Sequence, residues 1–330
     1  MSTELIMIAE KAKMDPKLRF TSLAHIITPE FLKETWLLMN RKGASGVDGE
    51  TAREFECEID ERVRELWERL KANQYKAPPV RRVDIPKGEG KTRPLGIPTV
   101  EDRLVQRAVA RILEAIFEAD FLDISYGFRP GKSPHHALGA LRSQIISKKV
   151  RYVFETDIRG YFNNVNHEWL MRMIRQRVAD PVIIRLIGKW LKAGVMQNGV
   201  IIRNEVGTPQ GGPISPILTN IYLHYVLDIW FERRCRKWFK GESYLTRFVD
   251  DFVVCFQSRE DAEVFSGMLD ERMQKFGLEL APEKTRLIAF GRFARMDKAA
   301  RGEKPETFVF LGFKHVCGTD TKGKFALIRI

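Results

Sequence analysis

The spacing of apolar and polar positions divides the chain into helical and strand-like stretches. Residues 51–73 carry Phe55, Ile59, Val63, Leu66 and Leu70 three or four apart, the period of a helix with one packed face. Asp102–Glu118 predicts a second helix with a broader apolar face that includes Leu104, Val105, Ala108, Val109, Ile112 and Leu113. Residues 1–40 read as short helices, one of them opening at Thr28-Pro-Glu with threonine as cap and proline in the first turn. The glycine-rich run Arg41-Lys-Gly-Ala-Ser-Gly-Val-Asp-Gly-Glu predicts a loop. Val80–Ile85 reads as a strand, broken by Pro86-Lys-Gly-Glu-Gly-Lys and paired with Thr92–Ile97 in a basic hairpin. Further on come a strand at Tyr152–Ile158, helices near 167–193, a short hairpin at 195–206 and a long helix from near Ile214. A strand pair around Phe248–Phe256, a helix over 260–276, and strands at Leu278–Phe290, Phe308–Val316 and Gly323–Ile330 complete the order. The succession predicts an α+β fold: a mixed, mostly antiparallel sheet backed by helices.

Composition narrows the partners. The chain has 330 residues, 44% hydrophobic and 30% charged, enough for two or three domains or subdomains. Lys and Arg number 55 against 43 Asp and Glu, a net charge of +12 that points to a polyanion. Cys57, Cys235, Cys255 and Cys317 are scattered without a CxxC pair, which argues against a disulfide scaffold or a cysteine zinc site. No signal peptide and no apolar run of membrane-spanning length is evident, so the expectation is a cytoplasmic protein, nucleoid-associated as a variant of that, with no membrane partner.

The candidate chemistry lies in carboxylates placed among apolar side chains. Asp250 and Asp251 sit in Phe248-Val-Asp-Asp-Phe-Val-Val, and Asp157 in Tyr152-Val-Phe-Glu-Thr-Asp-Ile. Carboxylates are costly in such surroundings unless something positive binds them. Two such strands side by side gather three carboxylates, a donor set suited to two Mg²⁺ ions for phosphoryl transfer. Asp157 and Asp250 are read as ligands to both ions. Asp251 is either a third ligand or a group that orients water, and the backbone carbonyl of Ile158 is a further oxygen. Phe162, shortly after Asp157, is read as a ring pressing on the sugar of an incoming nucleotide and leaving no room for a 2′-hydroxyl; Tyr161 is the weaker candidate and ordinary core the bland reading. Gly207-Thr-Pro-Gln-Gly-Gly-Pro lets backbone approach a ligand, with Gln210 to bond its sugar or base. Lys87, Lys91 and Arg93 on the hairpin are triphosphate candidates, Arg93 first because its planar fork suits phosphate. Lys284 is read as a proton donor to pyrophosphate. Arg103, Arg107 and Arg111 recur every four residues, as a solvated helix face or a nucleic-acid contact. His135, His136 and His167 form no zinc pattern, and Asn166 suggests a helix cap.

Several motifs together resemble those of bacterial group II intron reverse transcriptases, the intron-encoded maturase family. They are Arg93-Pro-Leu-Gly-Ile-Pro-Thr-Val-Glu-Asp-Arg-Leu-Val-Gln, Tyr126-Gly-Phe-Arg-Pro-Gly-Lys-Ser, Asp157-Ile-Arg-Gly-Tyr-Phe, Thr208-Pro-Gln-Gly-Gly-Pro-Ile-Ser-Pro, Phe248-Val-Asp-Asp and Leu311-Gly-Phe. The resemblance implies a right-hand polymerase with an N-terminal extension and the start of the fingers in 1–75, fingers in 76–150, and palm in 151–330 with finger elements around 170–205. It implies an RNA template, a DNA or RNA primer and intron RNA as partners, with a homodimer as one assembly state. Template contact is expected at the loop carrying Arg41 and Lys42, and nucleic-acid contact at Arg103, Arg107, Arg111, Arg129 and Lys132. A thumb and maturase region would follow residue 330 in such a protein, so the sequence is expected to be a piece of a longer one, with weak processivity. The family usually has Tyr-Ala-Asp-Asp where this chain has Phe248-Val249-Asp250-Asp251, which removes a hydroxyl and stiffens the turn. The competing expectations are a noncatalytic RNA-binding cofactor for intron folding, a reverse transcriptase recruited to DNA repair or phage defence, and an RNA-templated RNA polymerase, which Phe162 disfavours.

Overall fold

The structure, a computed structural model, describes residues 2–88, 90–197, 200–202, 207, 211–300 and 302–330. Its strands, in chain order, are β1 (Val80–Gly88), β2 (Lys91–Ile97), β3 (Tyr152–Thr156), β4 (Val195–Gln197), β5 (Val200–Ile202), β6 (Ser243–Phe248), β7 (Asp251–Phe256), β8 (Arg286–Ala289), β9 (Phe308–Phe310), β10 (Phe313–Thr319) and β11 (Phe325–Arg329). The chain divides into two compact units, one of residues 1–120 with 162–221, the other of 121–161 with 222–330.

The first unit is built around the helix Val100–Phe117, which buries residues on every side, from Leu104 and Val105 to Ile116 and Phe117. Thr99 caps it, its hydroxyl accepting from the Asp102 amide at 3.2 Å. The stretch expected as one helix over 51–73 is two, Ala52–Cys57 and Ile59–Lys71, parted at Glu58. The apolar period does not register the break, because Phe55, Val63 and Leu66 all remain buried. Thr51 and Glu54 cap the first of the pair reciprocally. The sheet runs β2-β1-β4-β5. β1 continues through Pro86, where a break was expected. The register instead shifts between Pro86 and Gly88, a bulge that accommodates a residue with no N–H to give. β4 lies parallel to β1, so the mixed sheet belongs to this unit.

The second unit holds the sheet β6-β7-β3-β8, antiparallel throughout. Val153, Val253, Cys255 and Ile288 pack on one face with Leu138, Leu141 and Ile145 of the helix Pro134–Ser147. On the other face Phe154 and Phe256 each meet Phe265 of the helix Arg259–Lys275 with ring centroids 5.5 Å apart. Apolar cover on both faces explains why Phe252–Phe256 reads as an unbroken apolar run rather than an alternating one. A smaller sheet is ordered β11-β10-β9. The strand expected over Phe308–Val316 is a hairpin: Leu311 (φ 53°) and Gly312 (φ 78°) form its turn, with both residues in the left-handed region as tight hairpins favour. The strand expected over Leu278–Phe290 shrinks to β8, since Pro282–Lys284 forms a 3₁₀ turn before it. Among the described residues no helix is long and apolar enough to cross a membrane.

Candidate active site

Strand pairing brings the carboxylates to one end of the second unit's sheet. Thr156 pairs with Phe252 across β3 and β7, and Phe248 with Asp251 across β6 and β7. Asp157 follows the last residue of β3 and Asp251 opens β7, so they emerge at the same end of strands that lie about 4.8 Å apart. Asp250 occupies the turn between β6 and β7. All three, with Glu155, line a cleft of roughly 610 Å³ whose other walls include Glu283, Lys284, Arg286, Val309, Leu311 and Gly312.

The electrostatics of this cleft are crowded. The Asp251 carboxyl is pushed up to about 6, first by burial and further by the neighbouring charges of Asp250, Asp157 and Glu155. One contact opposes the shift: the Leu311 amide donates to Asp251 Oδ2 at 3.1 Å. Lys284 Nζ donates to Asp157 Oδ2, and that bond holds the ammonium above its ordinary range. Arg286 pairs with Glu155, which also accepts from the Val309 amide at 3.0 Å. Hard, all-oxygen donors crowded around Asp251, whose carboxyl they help to raise, suit a divalent cation, and the Lys284 ammonium stands where a positive charge is wanted. The side chains are not preset around a single point, however. Among the described residues no three His, Cys, Asp or Glu groups converge to hold a metal. Asp157 is turned onto Lys284 and Asp251 onto Leu311.

Other residues singled out from the sequence fall elsewhere. Ile158 is buried and pairs with Leu280 in an isolated bridge; it is not among the residues lining the cleft. Tyr161 is core, its ring edge-on to Tyr222 at 6.4 Å. Phe162 lies in the first unit, on the short helix Tyr161–Asn164. There Gly207, with φ 95°, abuts its backbone: a Cβ on Gly207 would stand 2.9 Å from the carbonyl oxygens of Phe162 and Asn163. The Gly207 amide donates to Val165 O at 2.9 Å, and His167 Nε2 donates to the Gly207 carbonyl. Arg93 is exposed on β2 opposite Ile85. Gln210 and the side chains of Lys87 and Lys91 lie outside the described residues.

The basic residues divide sharply. Arg41 is exposed and paired with Glu56, and Lys42 is exposed. Arg103 is half-buried under the 41–49 loop, where a Cβ on Gly43 would stand 2.5 Å from its Nη1. Arg107 bonds Glu114 at 2.6 Å. Lys132 pairs with Asp123 at 3.0 Å. Arg111 and Arg129 correct the expectation of a nucleic-acid contact. Arg111 is 6% exposed, bonded to Thr35 and Glu34 and stacked over Phe31. Arg129, equally buried, donates to the carbonyls of Leu122, Ser125 and Phe121 and so staples its own loop. Guanidiniums committed to internal acceptors in this way have no face left for a phosphate. Sequence reasoning missed the Leu311 amide as the partner of Asp251; glycine following leucine after the apolar run Phe308–Phe310 was the turn signal that marks it.

Residues 85–315 match the family described as Reverse transcriptase (RNA-dependent DNA polymerase), and the chain belongs to that family. Its relatives include group II intron-encoded proteins. It is 32% identical to Protein YkfC of Escherichia coli (strain K12), over 97% of this chain and 90% of that protein. To the Group II intron-encoded protein LtrA of Lactococcus lactis subsp. cremoris it is 43% identical over 190 residues, 57% of this chain and 31% of LtrA. A third relative, the Uncharacterized 91 kDa protein in cob intron of Schizosaccharomyces pombe, is 38% identical over 52% of this chain and 21% of its own length. The chain thus spans most of the first and less than a third of the other two.

Proposed function

We propose that the chain is an RNA-directed DNA polymerase that extends a primer with deoxynucleotides, the second unit acting as palm and the first as fingers. The observation that carries this reading is the crowding of Asp157, Asp250, Asp251 and Glu155 in one cleft, with Asp251 raised to about 6. A fold keeps such mutually repelling groups together when a cation is to neutralise them. Asp157 and Asp250 would hold two Mg²⁺ ions, with Asp251 beside them as a third ligand or as the group that orients their water. Metal held by these carboxylates would supply activation of a primer 3′-hydroxyl and neutralisation of the leaving pyrophosphate. Release of Lys284 from Asp157 frees its ammonium to give a proton to pyrophosphate. Phe162 excludes a ribose 2′-hydroxyl, its turn backed by Gly207. Arg93 holds the triphosphate with a bidentate fork. Exposed Arg41 and Lys42 contact the template.

Primer extension on an RNA template with dNTPs and Mg²⁺ tests the reading. Wild type extends; Asp157→Asn and Asp250→Asn each lose at least ~10³-fold, the loss expected when transition-state charge stabilisation is removed, while primer–template binding is retained. Extension by either variant at the wild-type rate overturns the assignment. Tight binding to one structured RNA without incorporation by wild type establishes the RNA-folding cofactor instead.

A further inference from the structure

The turn that carries Asp250 is built against the preference of its own sequence. Phe248 and Asp251 pair across it, leaving Val249 and Asp250 as a two-residue connection. Val249 has φ 60°, whereas Asp250 is not among the residues with positive φ. A left-handed first residue alone is the pattern of a II′ turn, and that position normally takes glycine. Here it holds a β-branched residue, the kind least suited to the left-handed region. Something outside the turn must therefore fix it.

The fixing group is a buried guanidinium. Arg247 and Asp228 are both fully buried and joined by two parallel bonds, Nε to Oδ1 at 2.7 Å and Nη2 to Oδ2 at 2.6 Å. The third arm, Arg247 Nη1, donates to the Val249 carbonyl at 2.7 Å. Asp228 ends the π-helical turn His224–Asp228, a deformation that concentrates at functional sites. The Arg247 main chain is clamped as well: its amide donates to Ile124 O and its carbonyl accepts from the Tyr126 amide, each at 2.9 Å. Gly127 then lets that segment close on the turn, since a Cβ there would stand 2.4 Å from Val249 Cγ2 and 2.6 Å from Val249 N.

We infer that Arg247 and Asp228 are positioning residues for the reaction: they hold Val249 left-handed and so aim Asp250 and Asp251 into the cleft. The inference rests on the polymerase reading above. A buried ion pair gives little net stability over an apolar pair of the same size, so a directional task accounts for it better. Asp228 fixes the plane of the guanidinium. The guanidinium fixes the carbonyl of the peptide linking Val249 to Asp250. The Asp250 side chain leaves the backbone at the next atom. Lysine in place of Arg247 keeps the charge beside Asp228 but cannot span both acceptors at fixed geometry.

The test compares wild type, Arg247→Lys, Arg247→Lys with Val249→Gly, and Asp250→Asn in the full chain. Single-turnover incorporation should fall ~100-fold in Arg247→Lys, the scale of a catalytic group displaced by about 1 Å, with primer–template affinity unchanged. Mn²⁺ affinity, read by electron paramagnetic resonance without nucleotide, should fall ~10–100-fold, as when the partner of a metal ligand is removed. Adding Val249→Gly should restore both, because glycine takes positive φ unaided. An ion pair that serves only the core predicts a lowered melting temperature and no recovery with glycine; that result, or a wild-type rate in Arg247→Lys, overturns the inference. Should Arg247→Lys fail to fold, Asp228→Asn carries the same test, since it keeps an acceptor for one arm and must show the same recovery. A wild-type chain no more active than Asp250→Asn overturns the polymerase reading, and this inference with it.

Discussion

Asp102 in the first unit and Asp251 in the second are both carboxyls pushed up to about 6, and burial is the leading cause in each. Their surroundings differ in kind. Asp102 receives the Tyr75 hydroxyl, the Trp190 indole N–H at 2.7 Å and the Gln106 amide at 2.9 Å. Those partners are themselves buried, so the groups that compensate Asp102 come from the protein and not from solvent. Asp251 receives one main-chain N–H at 3.1 Å and faces three further carboxylates across a cleft. A shifted pKa therefore does not by itself mark a site. What separates the two is whether the protein supplies the compensating groups or leaves them to a ligand. Both lie within the family's motifs, so motif membership does not separate them either.

The largest effect that sharpens this contrast belongs to Lys284, which with Arg286 is a cation lining the open cleft. If Lys284 acts as an acid, Lys284→Ala lowers single-turnover incorporation by ~10² or more, the usual range for general acid catalysis. A rate equal to wild type would reduce it to a counter-ion for Asp157, comparable to Arg286 beside Glu155. Asp251→Asn comes next. It keeps an acceptor for the Leu311 amide but removes one of the crowded charges. Incorporation should drop ~10–100-fold, the scale of a metal site's supporting groups, while the metal-free protein melts at a higher temperature. A variant that is both slower and less stable would place Asp251 with Asp102 as a structural acid. A third comparison asks whether the chemistry is confined to the second unit. Phe162→Val should raise ribonucleotide over deoxynucleotide incorporation by ~10–100-fold, the worth of a modest steric contact in a pocket. Unchanged discrimination in competition assays removes the sugar gate from the first unit.

How much of this was legible in the sequence follows from the same distinction. Carboxylates inside apolar runs are visible because their cost is local, and Asp157, Asp250 and Asp251 do line one cleft. Caps are local too: Thr28 accepts from the Phe31 amide at 3.2 Å and Asn166 from the Trp169 amide at 2.9 Å. The arginine row at 103, 107 and 111 shows a repeat but not which end turns inward. That is decided by Phe31, Glu34 and Thr35, which are remote in sequence from Arg111. The Leu311 amide has no side-chain signature, and the pairing of Arg247 with Asp228 depends on a π turn that no apolar period announces. The closeness of Gly207 to Phe162 is likewise a tertiary fact. Main-chain donors and long-range ion pairs are thus the parts that required the fold.

The smallest effect is on stability and leaves catalysis aside. The folded pKa of Asp102, about 6, lies above the ~3.9 of an unfolded aspartate, so the folded state holds the proton more tightly. The contribution of this group to stability is therefore complete below ~4 and is lost as pH rises through ~6, a difference on the order of 2–3 kcal/mol by proton linkage. Asparagine at 102 keeps an oxygen for Tyr75 and Trp190. Its amide can donate to Gln106 Oε1, a buried atom without a partner among the described residues, once the glutamine amide turns over. Asp102→Asn should accordingly match wild type in urea denaturation near pH 4 and exceed it by that amount near pH 8. The wild-type-minus-variant difference isolates this group from others that titrate in the same range. A difference that stays flat with pH would show that Asp102 is not charged at a cost in the folded protein. Its hydrogen bonds would then outweigh burial, and the contrast with Asp251 would rest on the crowded charges of the cleft alone.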